Sequence, residues 1–316
     1  MVSDSTPSTP VAVPRELAAY LDEPPQLPSG SPGKNGYLRL GFERRGPKTV
    51  LVDLDRRAPL LVQQALYWDE AMPELPCVFM ISNAGGVLQG DRNTIAIRLG
   101  PDAQAHVTTQ SATKIHQMDF NHATQTQEIV LGDHAYLEYL PDPMIPHRHA
   151  RFLTTTHIEI APSATLLYGE ILSPGRKYHG DGELFAYDVF SSTVNAVRPV
   201  GPAGKAADLF TEKFVIEPAR TTLRDAGVMG GYDVFGNVLV LTPPEHHAAI
   251  AAALPAEVNQ AGQWAASCSR LPHDAGIVYK VLGMETEPVR DLIRRVWEAV
   301  RRETVGRDIP QQFLWR

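Results

Sequence analysis

Only two cysteines, Cys77 and Cys268, occur in 316 residues, too few for a disulfide framework or a four-cysteine zinc site. Their wide separation also excludes a compact site of paired cysteines and paired histidines. Cys77 lies in an apolar run with Pro76, Val78, Phe79 and Met80, which points to a buried, unreactive thiol. Nowhere do about 18 apolar residues follow one another, so no membrane-spanning helix is predicted. The first residues lack a basic stretch followed by an apolar one, so no secretory signal is expected. Basic residues are in deficit: 29 Lys and Arg against 36 Asp and Glu leave a net charge of −7, the opposite of a nucleic-acid binder's basic footprint. Three catalytic signatures are missing as well. The Gly-rich stretch Asn83-Ala84-Gly85-Gly86-Val87-Leu88-Gln89-Gly90-Asp91 has no phosphate-loop lysine, and neither a Gly-x-Ser-x-Gly elbow nor His-Glu-x-x-His occurs. These absences predict a soluble cytoplasmic protein that partners neither nucleic acid nor membrane.

What is present favours short strands. The chain holds 24 glycines and 26 prolines, a turn-rich composition, and its apolar fraction of 43% is enough for a real core. Residues 1–36 are rich in Ser, Thr, Pro and Gly and are expected to form a disordered tail, with a turn or two of helix within 15–22. From Tyr37 to about residue 220, apolar and polar residues alternate in short runs bounded by Gly, Pro and Asp, as at 50–55, 94–99 and 157–160, which predicts strands.

A regularity recurs about every 30 residues, a spacing typical of stacked units. Leu99-Gly100-Pro101-Asp102-Ala103, Leu131-Gly132-Asp133-His134-Ala135 and Ile160-Ala161-Pro162-Ser163-Ala164 each stand between two strand-like runs. The fold class is therefore mainly β. Two arrangements remain open: a layered, helicoid, β-solenoid-like architecture, or a sandwich of similar hairpins. Residues 221–316 are mixed α/β. Within them 287–304 reads as a helix, with Val289, Leu292, Ile293, Val296, Trp297 and Val300 on one stripe. Arg290, Asp291, Arg294, Arg295, Glu298, Arg301 and Arg302 are assigned to its solvated face. Thr286 is the expected N-cap, and Gly306 stands just past the end.

Candidate chemistry rests on acids rather than on a closed ligand set. The histidines are scattered, although His147 and His149 would share a face if they lay in a strand. Asp91 follows Gly90 and suits a turn cap. Glu138 lies between Leu137 and Tyr139, Glu170 between Gly169 and Ile171, and Glu183 follows Gly180-Asp181-Gly182. An acid in an apolar strand is costly to bury alone. It must face water, pair with a base such as Arg151 or Arg176, or line a wet passage.

Several strings together resemble the urease accessory protein UreD (UreH) family: PLLVQQALY (59–67), PCVFMISNAGGVLQGD (76–91), VTTQSATKIH (107–116), LEYLPDPMIPH (137–147) and YGEILSPGRKYHGDGELFAYD (168–188). They lie in the family's order and spacing. The resemblance covers about residues 37–220 and implies one domain over 37–316.

The resemblance also implies a chaperone-like protein rather than an enzyme. Such proteins bind apo-urease and the accessory protein UreF, and through UreF the GTPase UreG, and conduct Ni(II) to the urease active site. No tightly bound cofactor is implied. By motif position the resemblance points to Asp91, Glu138, Asp142, Glu170 and Glu183 as acids that line a passage or touch a partner, with Arg176 and Lys114 as counter-charges. Scattered oxygen donors suit a metal in transit, because a conduit must bind weakly and at several places. The competing expectation is a β-rich hydrolase using Glu170 and Glu183 as a carboxylate pair.

Overall fold

The computed structural model describes residues 13–22, 35–199 and 206–310. In chain order the strands are β1 (Tyr37–Arg45), β2 (Lys48–Arg57), β3 (Leu60–Leu61), β4 (Cys77–Ser82), β5 (Arg92–Leu99), β6 (Gln104–Thr109), β7 (Thr113–Ile115), β8 (Ala123–Leu131) and β9 (Tyr136–Tyr139). There follow β10 (Met144–Pro146), β11 (Arg151–Ile160), β12 (Thr165–Leu172), β13 (Val189–Arg198), β14 (Ala207–Ile216), β15 (Val234–Leu241), β16 (Glu257–Asn259), β17 (Trp264–Arg270) and β18 (Ile277–Gly283). Two α-helices, α1 (His247–Ala253) and α2 (Thr286–Val305), lie in the C-terminal part.

The predicted mainly β class holds. One sheet has the order β14-β13-β11-β8-β5-β1-β2, and the other runs β16-β17-β18-β15-β12-β9-β6-β4-β3. The repeating turns are not hairpins. Each carries the chain from one sheet to the other, β5 to β6, β8 to β9 and β11 to β12, and equivalent strands pair in parallel. The turns stack as well. Gly132 N donates to Leu99 O at 2.9 Å and Ala161 N to Leu131 O at 3.0 Å, while Tyr136 N donates to Ala103 O at 2.9 Å and Thr165 N to Ala135 O at 2.8 Å. Ala103, Ala135 and Ala164 are buried, so a small side chain ends each turn where the layers close. Antiparallel strands finish the margins: β2 and β14 in the first sheet, and β3 and β15 to β18 in the second.

Leu38, Ile97, Ile129 and Ile158 of the first sheet meet Val107, Leu137, Leu166 and Leu239 of the second in one core. A second core lies under α2, where Val289, Ile293, Val296 and Trp297 cover β15 and β18. The α2 helix ends as expected at Gly306, in the left-handed region at φ 67°. Its start differs from the sequence reading: Glu285 is the N-cap and Thr286 is already helical.

Part of the expected tail is docked. Arg15–Leu17 form a 3-10 turn with Leu17 buried. Glu16 accepts from Ser191 Oγ at 2.8 Å and pairs with Lys213 at 2.7 Å. Arg151 lies over the Tyr20 ring, 4.5 Å from its centroid. The remainder of 1–36, apart from 13–22 and 35–36, lies outside the described residues.

Candidate functional site

Between the sheets a cavity of about 200 Å³ runs inward from an exposed rim of Gly85, Gln110, Ser111 and Lys114 to a buried floor that includes Gln127, Thr154, Tyr168 and Glu170. The Gly-rich stretch supplies one side of the rim, and its glycines are needed for geometry. Gly86 has φ 152°, and a Cβ there would stand 2.4 Å from Lys114 O. Asp91 closes the same loop by accepting from Leu88 N at 2.8 Å, the turn-capping role expected of an aspartate after glycine.

The floor is a polar chain. Tyr139 Oη donates to Gln127 Oε1, and Gln127 Nε2 donates to Thr156 Oγ1 at 2.8 Å. Thr156 Oγ1 lies 3.0 Å from Tyr168 Oη, which donates to Glu170 Oε1 at 3.1 Å. Ser192 Oγ donates to the same carboxylate oxygen at 3.1 Å, and Asn237 Nδ2 to Oε2 at 3.3 Å. Glu170 is 5% exposed. Its burial pushes its pKa up, and these donors offset that only in part. Two further wall oxygens, Asn93 Oδ1 and Thr154 Oγ1, are buried without a hydrogen-bond partner among the described residues. Such a lining suits water or a hydrated ion.

Asp142 stands at the side of this cavity, paired with Arg290 of α2. Burial raises its pKa, with Arg290 opposing. An adjoining groove of about 410 Å³ along α2 shares Pro141, Asp142 and Ile171 with the cavity wall, so Asp142 borders both spaces and Arg290 faces the groove. Lys114 is exposed at the rim.

Glu138 is sealed elsewhere. Arg301 donates to its two oxygens from Nε at 2.7 Å and Nη2 at 2.8 Å, and Nη1 reaches Asp69 Oδ2 at 2.6 Å. Tyr136 Oη donates to Glu138 at 2.7 Å, and His106 Nδ1 lies 2.8 Å from it. Burial opposes ionisation, but Arg301 and His106 outweigh it and hold the carboxyl at about 2. Arg301 is 0% exposed, which corrects its assignment to the solvated face of α2. The spacing contained the signal: 289, 293, 297 and 301 fall on one helical stripe.

Glu183 is held by Arg176 from Nε at 2.7 Å and Nη2 at 2.6 Å. Those bonds carry its carboxyl down to about 2. It does not line the cavity that Glu170 lines, so the two acids do not form a working pair. His147 and His149 do not share a strand face. His149 has φ 56° and reaches Asp188 at 3.0 Å. His147 is buried, 4.9 Å from the His116 ring between centroids. Cys77 is buried and free, its thiol pushed up to about 12 chiefly by burial. Among the described residues no three His, Cys, Asp or Glu side chains converge to hold a metal ion. None of the described helices is long and apolar enough to cross a membrane.

The family model described as UreD urease accessory protein matches residues 34–316. A Brucella suis biovar 1 protein, "Urease accessory protein UreD 2", is 57% identical over 303 residues, covering 95% of this chain and 98% of its own length. "Urease accessory protein UreD" of Photorhabdus laumondii is 50% identical over 301 residues, covering 95% and 92%. The same name is given to a Yersinia enterocolitica protein, 50% identical over 304 residues. The chain is thus an accessory protein and not a catalytic enzyme, and the hydrolase expectation is set aside. With the match running through both sheets and α2, the chain belongs to the UreD urease accessory protein family.

Proposed function

We propose that this chain acts in urease maturation as a cytoplasmic scaffold that binds apo-urease and UreF, engages UreG through UreF, and passes Ni(II) through the cavity between its sheets. The family membership supports the maturation role. The passage reading is supported chiefly by one observation: a carboxyl, Glu170, at the floor of a cavity walled by hydroxyl and amide oxygens and opening at a Gly-rich rim.

A cation in transit keeps much of its water and exchanges single oxygen donors for others, so no donor set need close around it. Glu170 supplies a charge on demand. Burial raises its pKa and a nearby positive charge lowers it, so the approach of a cation favours the carboxylate. Asp142 and Arg290 stand where the inner cavity meets the groove along α2 and are placed to control traffic between them.

The test is co-expression of Glu170→Ala with urease and the other accessory proteins. Nickel per urease active site falls while the complex with UreF still co-purifies. Full nickel loading by the variant rejects the passage.

A further inference from the structure

Glu170 continues into a polar row that leaves the cavity on its far side. On the second sheet Glu170, Asn237 and Lys280 are register partners across β12, β15 and β18. The first sheet contributes Ser192 from β13 and Glu212 from β14. Asn237 Nδ2 stands between two carboxylates, 3.3 Å from Glu170 Oε2 and 3.0 Å from Glu212 Oε2. Lys280 Nζ pairs with the other oxygen of Glu212 and lies 5.4 Å from the Phe235 ring centroid. Burial grades outward: Glu170 and Asn237 are buried, whereas the side chains of Glu212 and Lys280 are 25% and 35% exposed.

Two features are costly for a purely structural contact. Lys280 pairs with Glu212, while the hydrogen bonds to Glu170 come from the neutral donors Tyr168, Ser192 and Asn237. Asn237 is 2% exposed, yet its Oδ1 is buried with no hydrogen-bond partner among the described residues. An unsatisfied buried oxygen calls for a reason. Turning the Asn237 amide over replaces the N–H₂ between the carboxylates with that oxygen. Glu170, Asn237, Glu212 and Ser192 then offer oxygen donors of the kind hard or hydrated divalent cations take.

We propose that Glu170, Asn237 and Glu212 form an oxygen-donor station for a hydrated divalent cation, linking the cavity floor to the protein surface, with Lys280 as the displaceable counter-ion that occupies Glu212 between passages. The station deepens the conduit reading and rests on it.

Equilibrium dialysis of the full-length chain against Ni²⁺ alone, with metal analysis of the retained protein, tests it. Glu212→Gln and Asn237→Leu each weaken Ni²⁺ binding by about tenfold or more, the usual cost of a lost supporting ligand. Lys280→Met and Asn237→Asp each tighten it, and misfolding cannot produce such a gain. Equal Ni²⁺ binding by the parent, Lys280→Met and Asn237→Asp chains overturns the station and leaves a structural ion pair. The measurement needs no urease, so the two readings fail separately. Station binding with unimpaired urease loading by Glu170→Ala rejects the conduit. Blocked loading without binding at the row rejects the station.

Discussion

Arg301 and Glu138 stand 163 positions apart in the chain and meet through two parallel hydrogen bonds of 2.7 and 2.8 Å, both side chains fully buried. The pair ties the last turns of α2 to β9 at the centre of the second sheet. Asp69 and the carbonyl of Asp308 take Arg301 Nη1 at 2.6 and 3.0 Å. A buried pair of this kind adds little over an apolar substitute, but removing one partner strands the other.

Arg301→Met therefore leaves two carboxylates, Glu138 and Asp69, in a dry interior. The expected loss is about 3–5 kcal/mol in urea-induced unfolding. Arg301→Lys recovers only part of it, since an ammonium cannot make the two-pronged contact. A change within about 0.5 kcal/mol, typical of surface sites, contradicts the assignment.

Much of this architecture is legible in the residues. The stacked turns announce themselves through Gly100-Pro101-Asp102-Ala103 and its two successors, because each must end in a residue small enough to close a layer. What spacing leaves open is whether the flanking strands pair with each other or with the next unit, a long-range choice that local alternation does not encode. Asp91 as a turn cap and the Arg176–Glu183 pair follow from near neighbours. Glu138 with Arg301, and Glu170 with Asn237 and Glu212, come from strands and helices distant in sequence. Arg301 looks solvated because charge usually means surface, whereas its stripe position says otherwise.

Acid should weaken the fold through the depressed carboxyls. Glu138 and Glu183 both stand at about 2 against an ordinary 4.5. Their contribution is complete above about pH 4.5 and drains away as pH falls toward 2. Unfolding midpoints measured from pH 6 to 3 should fall in the parent and fall less steeply in Glu183→Gln. A parallel acid limb in the variant contradicts this.

Glu170 carries the opposite sign. Burial raises its pKa, so ionising it at neutral pH costs stability that protonation restores. Glu170→Gln removes the titration, and its thermal midpoint at pH 7 should equal or exceed the parent's. Lowering the pH then narrows the gap. A clear destabilisation at pH 7 contradicts the reading of this side chain as a held-back charge.

Gly86→Ala should strain the cavity rim. The new Cβ stands 2.4 Å from a backbone oxygen at φ 152°, and such backbone strain costs about 1–3 kcal/mol. Gly46→Ala, at φ 60° with no atom of the described residues within 4 Å of the added Cβ, costs only about 1 kcal/mol, the penalty of the left-handed region alone. Calorimetric midpoints that rank the two variants the other way contradict the close approach.

The most direct measurement fills the cavity without touching a charge. Thr154, buried on its floor, is replaced by Leu as a plug and by Val as a control of nearly equal size. Nickel per urease active site is then measured after co-expression with the complete accessory set. The account predicts a loss of nickel with Thr154→Leu, near-normal loading with Thr154→Val, and an intact accessory complex in both. Equal loading by the plugged chain and the parent contradicts passage of the metal through this cavity.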